Sequence, residues 1–251
     1  MYGEEPLEVA CREMSNLGIR HLDLWHVKGW CEHLAGGIDR VRRTLAEYGI
    51  KLEAISAYST PLEQLGDIVD AAKELGGTAV VTGSDKPDMS VAEFAEKIAP
   101  VAERAARAGV KLAIENHGNA VIDSIESMVE LVRLVPEGLG IALAPIHLYR
   151  RGERTEDAIR ALQGRIALMY IWDWGPTGDV NWKDPAEQFV GTGKIDFPPI
   201  FRALVETGYT RPLDLFAHGP EYWPAEKTSA HLRKALETAR AFEAAARAST
   251  P

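Results

Sequence analysis

Three consecutive polar side chains, Glu115, Asn116 and His117, follow the apolar run Leu112-Ala113-Ile114. A carboxylate at the end of a buried strand is costly unless it has a partner or performs a reaction. Carboxylates and imidazoles move protons, and a carboxyl group held in an apolar pocket has its pKa raised, which suits it to general acid or base work. Three such residues in a row exceed what a turn or a cap requires. Other polar groups recur where short apolar runs end: His26 after Leu24-Trp25, Asp173 after Ile171-Trp172, and His218 after Phe216-Ala217. Trp25, Trp172 and Trp174 stand among them and offer an apolar wall for a ring-bearing or aromatic metabolite. Each also has a structural reading, the histidines as satisfied core or surface residues and the tryptophans as packing.

The elements that must position these residues alternate along the chain. Helical spacing covers 7–17, 38–48, 61–75, 90–108, 123–135, 155–162, 196–207 and 227–247. Strand patterns cover 19–25, 52–57, 78–82, 111–115, 140–144, 165–172 and 212–216. Glycines punctuate the helix ends, as at Gly18, Gly49, Gly109 and Gly208. Repeated βα alternation without a composition break predicts a parallel sheet, and its length favours a TIM (β/α)8-type barrel spanning residues 1–251 as one domain. The pattern yields seven strands instead of eight, because only six residues precede the first helix. Either Tyr2-Gly3 is the stub of a vestigial first strand or the barrel is incomplete. An irregular segment over 174–195, carrying Trp174 and Trp182, is expected to cover the mouth or a neighbouring subunit.

Composition bounds the function. The 251 residues are 46% hydrophobic and 26% charged, enough to build a sizeable core. A net charge of −9 argues against a nucleic-acid partner, which requires clustered Lys and Arg. Cys11 and Cys31 lack metal-type spacing, which points to a reducing, cytoplasmic setting. No apolar run reaches the length of a membrane span, and the acidic start is unlike a signal peptide. Arg150-Arg151 and Lys194 give a weak hint of an anionic group at the mouth.

Several stretches carry a family resemblance. They are GIRHLDLW, GVKLAIENHG, GLGIALAPIHLYRRGE, RIALMYIWDW and GTGKIDFPPIFRALVETGYTRPLDL. Together they resemble the xylose-isomerase-like TIM barrels, a superfamily of sugar-phosphate isomerases and epimerases, inosose dehydratases, hydroxypyruvate isomerase and apurinic endonuclease IV. The resemblance implies a manganese, magnesium or cobalt site built from Glu, Asp, His and Glu at four strand ends. Carried over position by position, the first Glu falls on Glu115, but the Asp falls on Ala144, the His on Tyr170 and the last Glu on Phe216. Three of the four ligands are therefore missing, no metal ligands are assigned and no cofactor is expected. A relocated site from Glu115, His147 and His218 is the alternative.

The resemblance also places His147 where family members carry a substrate-contacting histidine. The departure from the family's ligand set, with Glu-Asn-His retained at a strand end, points instead to metal-independent proton transfer next to a carbonyl, as in an isomerase, epimerase, lyase or cyclase, on a small polyol, sugar or ring-containing metabolite. Glu115 and His147 would move the proton and Tyr170 would donate to the carbonyl or enolate oxygen. His26, Trp25, His117, Trp172, Asp173 and His218 are the candidate substrate-binding residues. Endonuclease activity is excluded for want of further ligands and a basic face. The remaining partners expected are a small-molecule substrate and, as in many such barrels, further copies of the chain. The competing reading is a non-catalytic homologue that binds a small ligand or serves as a partner subunit.

Overall fold

The computed structural model describes residues 1–175 and 185–249, so Trp182 lies outside the described residues. The order is α1 (Leu7–Asn16), β1 (His21–Val27), β2 (Cys31–Glu32), α2 (Ile38–Tyr48), β3 (Lys51–Ser56), α3 (Leu65–Glu74), β4 (Ala79–Thr82), α4 (Val91–Ala108) and β5 (Lys111–Glu115). It continues with α5 (Ile125–Leu134), β6 (Leu139–Leu143), α6 (Pro145–Arg151), α7 (Thr155–Ala161), β7 (Ile166–Ile171), α8 (Phe197–Glu206), β8 (Leu213–Leu215) and α9 (Ala225–Ser249). Strands and helices alternate as the sequence pattern predicts, and the parallel strands wind into a TIM-type barrel.

Seven strands pair in parallel in the order β1-β3-β4-β5-β6-β7-β8. The eighth, β2, is a two-residue strand antiparallel to the end of β1 through His26↔Glu32 and Val27↔Cys31. Among the described residues β8 pairs with β7 only, so the sheet stays open between β8 and β1. Met1 to Glu5 form no strand.

Local chemistry accounts for the elements. The middle strands β4 to β7 are almost continuously apolar and buried, as parallel strands covered on both faces must be. Ser90 and Glu93 form a reciprocal capping box that starts α4, with Ser90 N–H donating to Glu93 at 2.7 Å and Glu93 N–H to Ser90 Oγ at 3.2 Å. Helix α6 is not evident from the periodicity. It starts with Pro145 at its first turn and puts His147 on a buried helix, where the sequence reading has it in a loop.

Side chains alternate across each strand, and one set points into the barrel. Its lower layers are small, with Ala54, Ala79, Ala113 and Ala142 in one buried cluster. Larger residues of the same cluster, Leu168, Tyr170, Trp172 and Phe216, fill the β7–β8 side. At the base, Arg211 before β8 reaches Glu53 at 2.8 Å and also bonds Thr78, tying β8's start to β3 and β4. No helix among the described residues is long and apolar enough to cross a membrane.

Candidate active site

Glu115 ends β5 on the inward face and is 8% exposed. Its Oε1 lies 3.8 Å from Nε2 of His147, which is 4% exposed. Neither ring nitrogen of His147 has a hydrogen-bond partner. Burial raises the Glu115 carboxyl to about 7, with a hydrogen bond from Tyr58 opposing the shift and the charge of Asp23 adding to it. Burial lowers His147 to about 3, helped by His117, Arg150 and His218. The two shifts point the same way: in mildly acidic solution the shared environment keeps the proton on Glu115 and leaves the imidazole neutral. This is a poised acid beside a free base, not an ion pair.

Asn116 is fully buried and faces away from the reacting groups. Its Oδ1 accepts from Ala144 N–H at 2.7 Å and its Nδ2 donates to Ala144 O at 3.1 Å. Both backbone groups of the residue that starts α6 are thus held by the end of β5, which fixes where α6 carries His147. Asn116→Ala leaves both groups unpaired, and we expect a loss of about 2–4 kcal/mol in chemical denaturation.

A chain of hydroxyls extends from Glu115. Tyr58 bonds Glu115, and its Oη lies 3.0 Å from Tyr170 Oη. Burial pushes both phenols well above their ordinary value, so both stay protonated and can donate. Asp23 accepts from Ser56 Oγ at 2.7 Å and from Trp25 Nε1 at 3.1 Å. Asp214 lies opposite Tyr170 in the β7–β8 ladder. Burial raises both carboxyls, so neither behaves as an ordinary surface aspartate.

Aromatic rings complete the walls. Trp25 stacks on Phe216 with centroids 5.3 Å apart and meets Tyr58 at 5.1 Å and Trp30 at 5.4 Å. Trp172 packs edge-on to Phe216 and to His218, each at 4.9 Å, and His147 lies edge-on to Trp172 at 5.5 Å. Buried Gln188 holds this side in place. It accepts from Trp172 Nε1 at 2.9 Å and from His218 N–H at 3.0 Å, and donates to His218 O at 2.9 Å.

Of the residues singled out from sequence, Glu115, His147, Tyr170, Trp25, Trp172 and His218 converge on one region. His117 joins it, its ring 4.2 Å from that of His147. Two of the residues singled out are not brought into it. His26 alternates with Trp25 along β1 and so projects to the other face of the strand. Asp173 is fully buried outside the mouth, where its carboxylate accepts N–H groups from Trp174 (2.7 Å), Gly191 (3.0 Å), Gly193 (2.9 Å) and Ile195 (3.0 Å). A side chain at Gly193 would overlap Asp173 and the Trp174 carbonyl, so Gly193→Ala should lower the melting temperature by several degrees in calorimetry. Arg150 lies over the Trp174 ring at 5.1 Å and Arg151 pairs with Asp123 at 2.5 Å.

Tyr58, Trp30, Asp23 and Gln188 were missed. Asp23 sits inside an apolar strand pattern, where alternation was the available signal. Tyr58, Trp30 and Gln188 come from segments after strands, where no periodicity announces orientation.

The residues present do not fit the family's four-ligand divalent ion. Ala144 offers a methyl group and backbone groups already bonded to Asn116, and the Phe216 ring lies against Trp25 where a carboxylate would be needed. The alternative set of Glu115, His147 and His218 is not gathered either: among the described residues no three His, Cys, Asp or Glu side chains are grouped to hold a metal.

Comparison with known proteins agrees with this architecture. The rhizopine catabolism protein MocC of Rhizobium meliloti is 25% identical over 243 residues, covering 82% of this chain and 73% of that protein. A xylose isomerase domain protein from Alicyclobacillus acidocaldarius superposes with a TM-score of 0.77 at 19% identity, over 97% of this chain and 95% of the other. An L-ribulose 3-epimerase gives 0.76 at 20% identity, over 98% and 92%. A zinc-bound IolI protein gives 0.76 at 20% identity, over 93% and 92%. Residues 11–242 match the profile described as xylose isomerase-like TIM barrel. With the barrel strands, the Glu-Asn-His strand end and this match over most of its length, the chain belongs to the xylose isomerase-like TIM barrel family.

Proposed function

We propose that the protein transfers a proton at a carbon next to a carbonyl, as an isomerase, epimerase or lyase of a small neutral polyol, sugar or cyclic ketone, without a divalent metal. The carrying observation is the Glu115–His147 pair, buried together with both imidazole nitrogens free. Ionised Glu115 takes the proton from carbon. The Tyr170 hydroxyl, protonated at any working pH, turns from Tyr58 to donate to the oxygen on which negative charge develops, while Tyr58 keeps its own proton on Glu115. Neutral His147 accepts or returns a proton at a neighbouring hydroxyl. Asn116 positions this histidine and does not touch substrate. The epimerase names among the structural neighbours support the reaction class as precedent for the fold.

The aromatic walls favour the flat, C–H-rich face of a ring over a charged group. Of the two arginines noted in the sequence, Arg150 lies over Trp174 and Arg151 pairs with Asp123. The test is exchange of the substrate's α-hydrogen in deuterated water, followed by NMR over a panel of ketoses and cyclic keto-polyols. At least one compound is expected to exchange, with the rate unchanged by chelator treatment. Exchange that requires added manganese, cobalt or zinc would overturn the metal-free reading. Saturable ligand binding with no exchange would assign the barrel to binding instead of catalysis.

A further inference from the structure

The amino ends of β5, β6, β7 and β8 surround a cavity of about 200 Å³ at the base of the barrel, at the opposite end of the strands from Glu115. Lys111 opens β5, Gln163 and Arg165 lead into β7, and Thr207, Thr210 and Arg211 connect α8 to β8. In a chain of net charge −9, the described lining of this cavity holds three cations and no aspartate or glutamate.

The three cations are compensated to different degrees. Arg211 donates to Glu53 at 2.8 Å and also bonds Thr78, but its Nε–H is buried with no acceptor. Arg165 commits its guanidinium to main-chain carbonyls, Val132 and Val135 at 2.9 Å each and Leu139 at 3.3 Å, so no carboxylate meets its charge. Lys111 is exposed and pairs with no described carboxylate. Two positive charges therefore remain once Glu53 has neutralised Arg211.

We propose that this cavity binds a phosphate group, carried by inorganic phosphate or by a small phosphate monoester. Such a group bears about −1.5 to −2 charges at neutral pH and several strong acceptor oxygens, which matches the uncompensated charge. One oxygen gives the Arg211 Nε–H the acceptor it lacks, and the flexible Lys111 ammonium closes on the dianion as a point charge. Thr210 adds a hydroxyl on the same lining, while Arg165 stays on its carbonyls and contributes its charge. The volume lies below the ~300 Å³ at which pockets for drug-sized ligands begin, so a nucleotide does not fit. The base of such a barrel governs stability and not chemistry. A phosphate there ties together the starts of strands that carry Glu115 and Tyr170 at or near their other ends. The inference goes beyond the proton-transfer reading and does not depend on it.

The test titrates the full chain with inorganic phosphate and with glycerol 3-phosphate by calorimetry at constant ionic strength, with sodium chloride as the blank. One molar equivalent is expected to bind, and ligand at about a hundredfold above Kd should raise the melting temperature by about 5–10 °C. Phosphate should also slow amide exchange over 163–167 and 207–212. Lys111→Gln should weaken binding at least tenfold and leave the ligand-free melting temperature unchanged, because Lys111 is exposed. Lys194→Gln, at the other end of the strands, should leave affinity within twofold. Glycerol 3-phosphate binding more than tenfold tighter than phosphate would assign the site to a monoester, and closer affinities would assign it to free phosphate. No saturable binding below about 10 mM overturns the proposal. So does binding that K194Q abolishes and K111Q leaves intact, which would put the anion at the mouth. Equal stabilisation by chloride would show a general salt effect and overturn it as well.

Discussion

Glu115→Gln is expected to lower the rate of α-hydrogen exchange by about 10²–10⁴-fold, the range for loss of a general base. The fold should survive, because glutamine matches the protonated carboxyl that the buried site already favours. The wild-type rate should rise with pH around a midpoint near 7, where burial places the Glu115 carboxyl. Stability carries the opposite sign. A carboxyl with its folded pKa near 7 and its unfolded value near 4.5 holds a proton in the native state that the unfolded chain has lost. Its contribution is complete below 4.5 and is lost as pH rises to about 7, a total of about 3 kcal/mol. Denaturation of wild type and E115Q at pH 4.5 and 8 reads this directly: the difference between the two proteins should grow by that amount in favour of the variant. His147 acts in the other direction. Its lowered pKa makes folding lose stability as pH falls from 6.5 towards 3, and H147N should blunt that acid-side loss. A pH–stability difference that stays flat for E115Q would mean that Glu115 is ionised and paired at neutral pH.

Asp173→Asn should be the most destabilising conservative substitution near the site. Oδ1 serves Trp174 and Ile195, and Oδ2 serves Gly191 and Gly193. An amide can satisfy one pair and presents its own N–H groups to the other. Two buried donors then lack acceptors and the two remaining bonds lose their charge assistance, which costs about 3–5 kcal/mol. For a chain of this size that corresponds to a fall in melting temperature of about 10 °C. The effect should spread to the site, since Asp173 N–H also donates to the Gln188 carbonyl at 3.0 Å and Gln188 fixes Trp172 and His218. Calorimetry together with KM for the exchanging substrate checks both parts. A normal melting temperature would show that the carboxylate is not the anchor of this segment.

The barrel was legible because each strand exit announced itself by a run of apolar residues broken by a polar one, and each crossover by helical spacing. Glu115 was legible for the same reason. His26 and Asp173 show the limit of that signal: both follow a tryptophan at a strand exit, and a one-residue change of parity sends a side chain to the opposite face. His147 was placed by resemblance, while the Pro145 start that makes its segment helical went unread. Gln188 and Tyr58 gave no signal, because their orientation is set by contacts distant in sequence, such as Gln188 with His218 and Tyr58 with Tyr170. The shortage of residues before α1 was visible at once, and the open flank of the sheet is its three-dimensional counterpart.

The crowding of Trp25, Trp30 and Trp172 around Phe216 and His218 has an optical consequence. Three of the six indoles in the chain sit within one contact network at the barrel mouth. Their near-ultraviolet circular dichroism and emission are therefore coupled to that network more than to the surface. A ligand that enters between the rings should change both signals without any label, giving a direct titration curve even for a compound that is bound and never turned over.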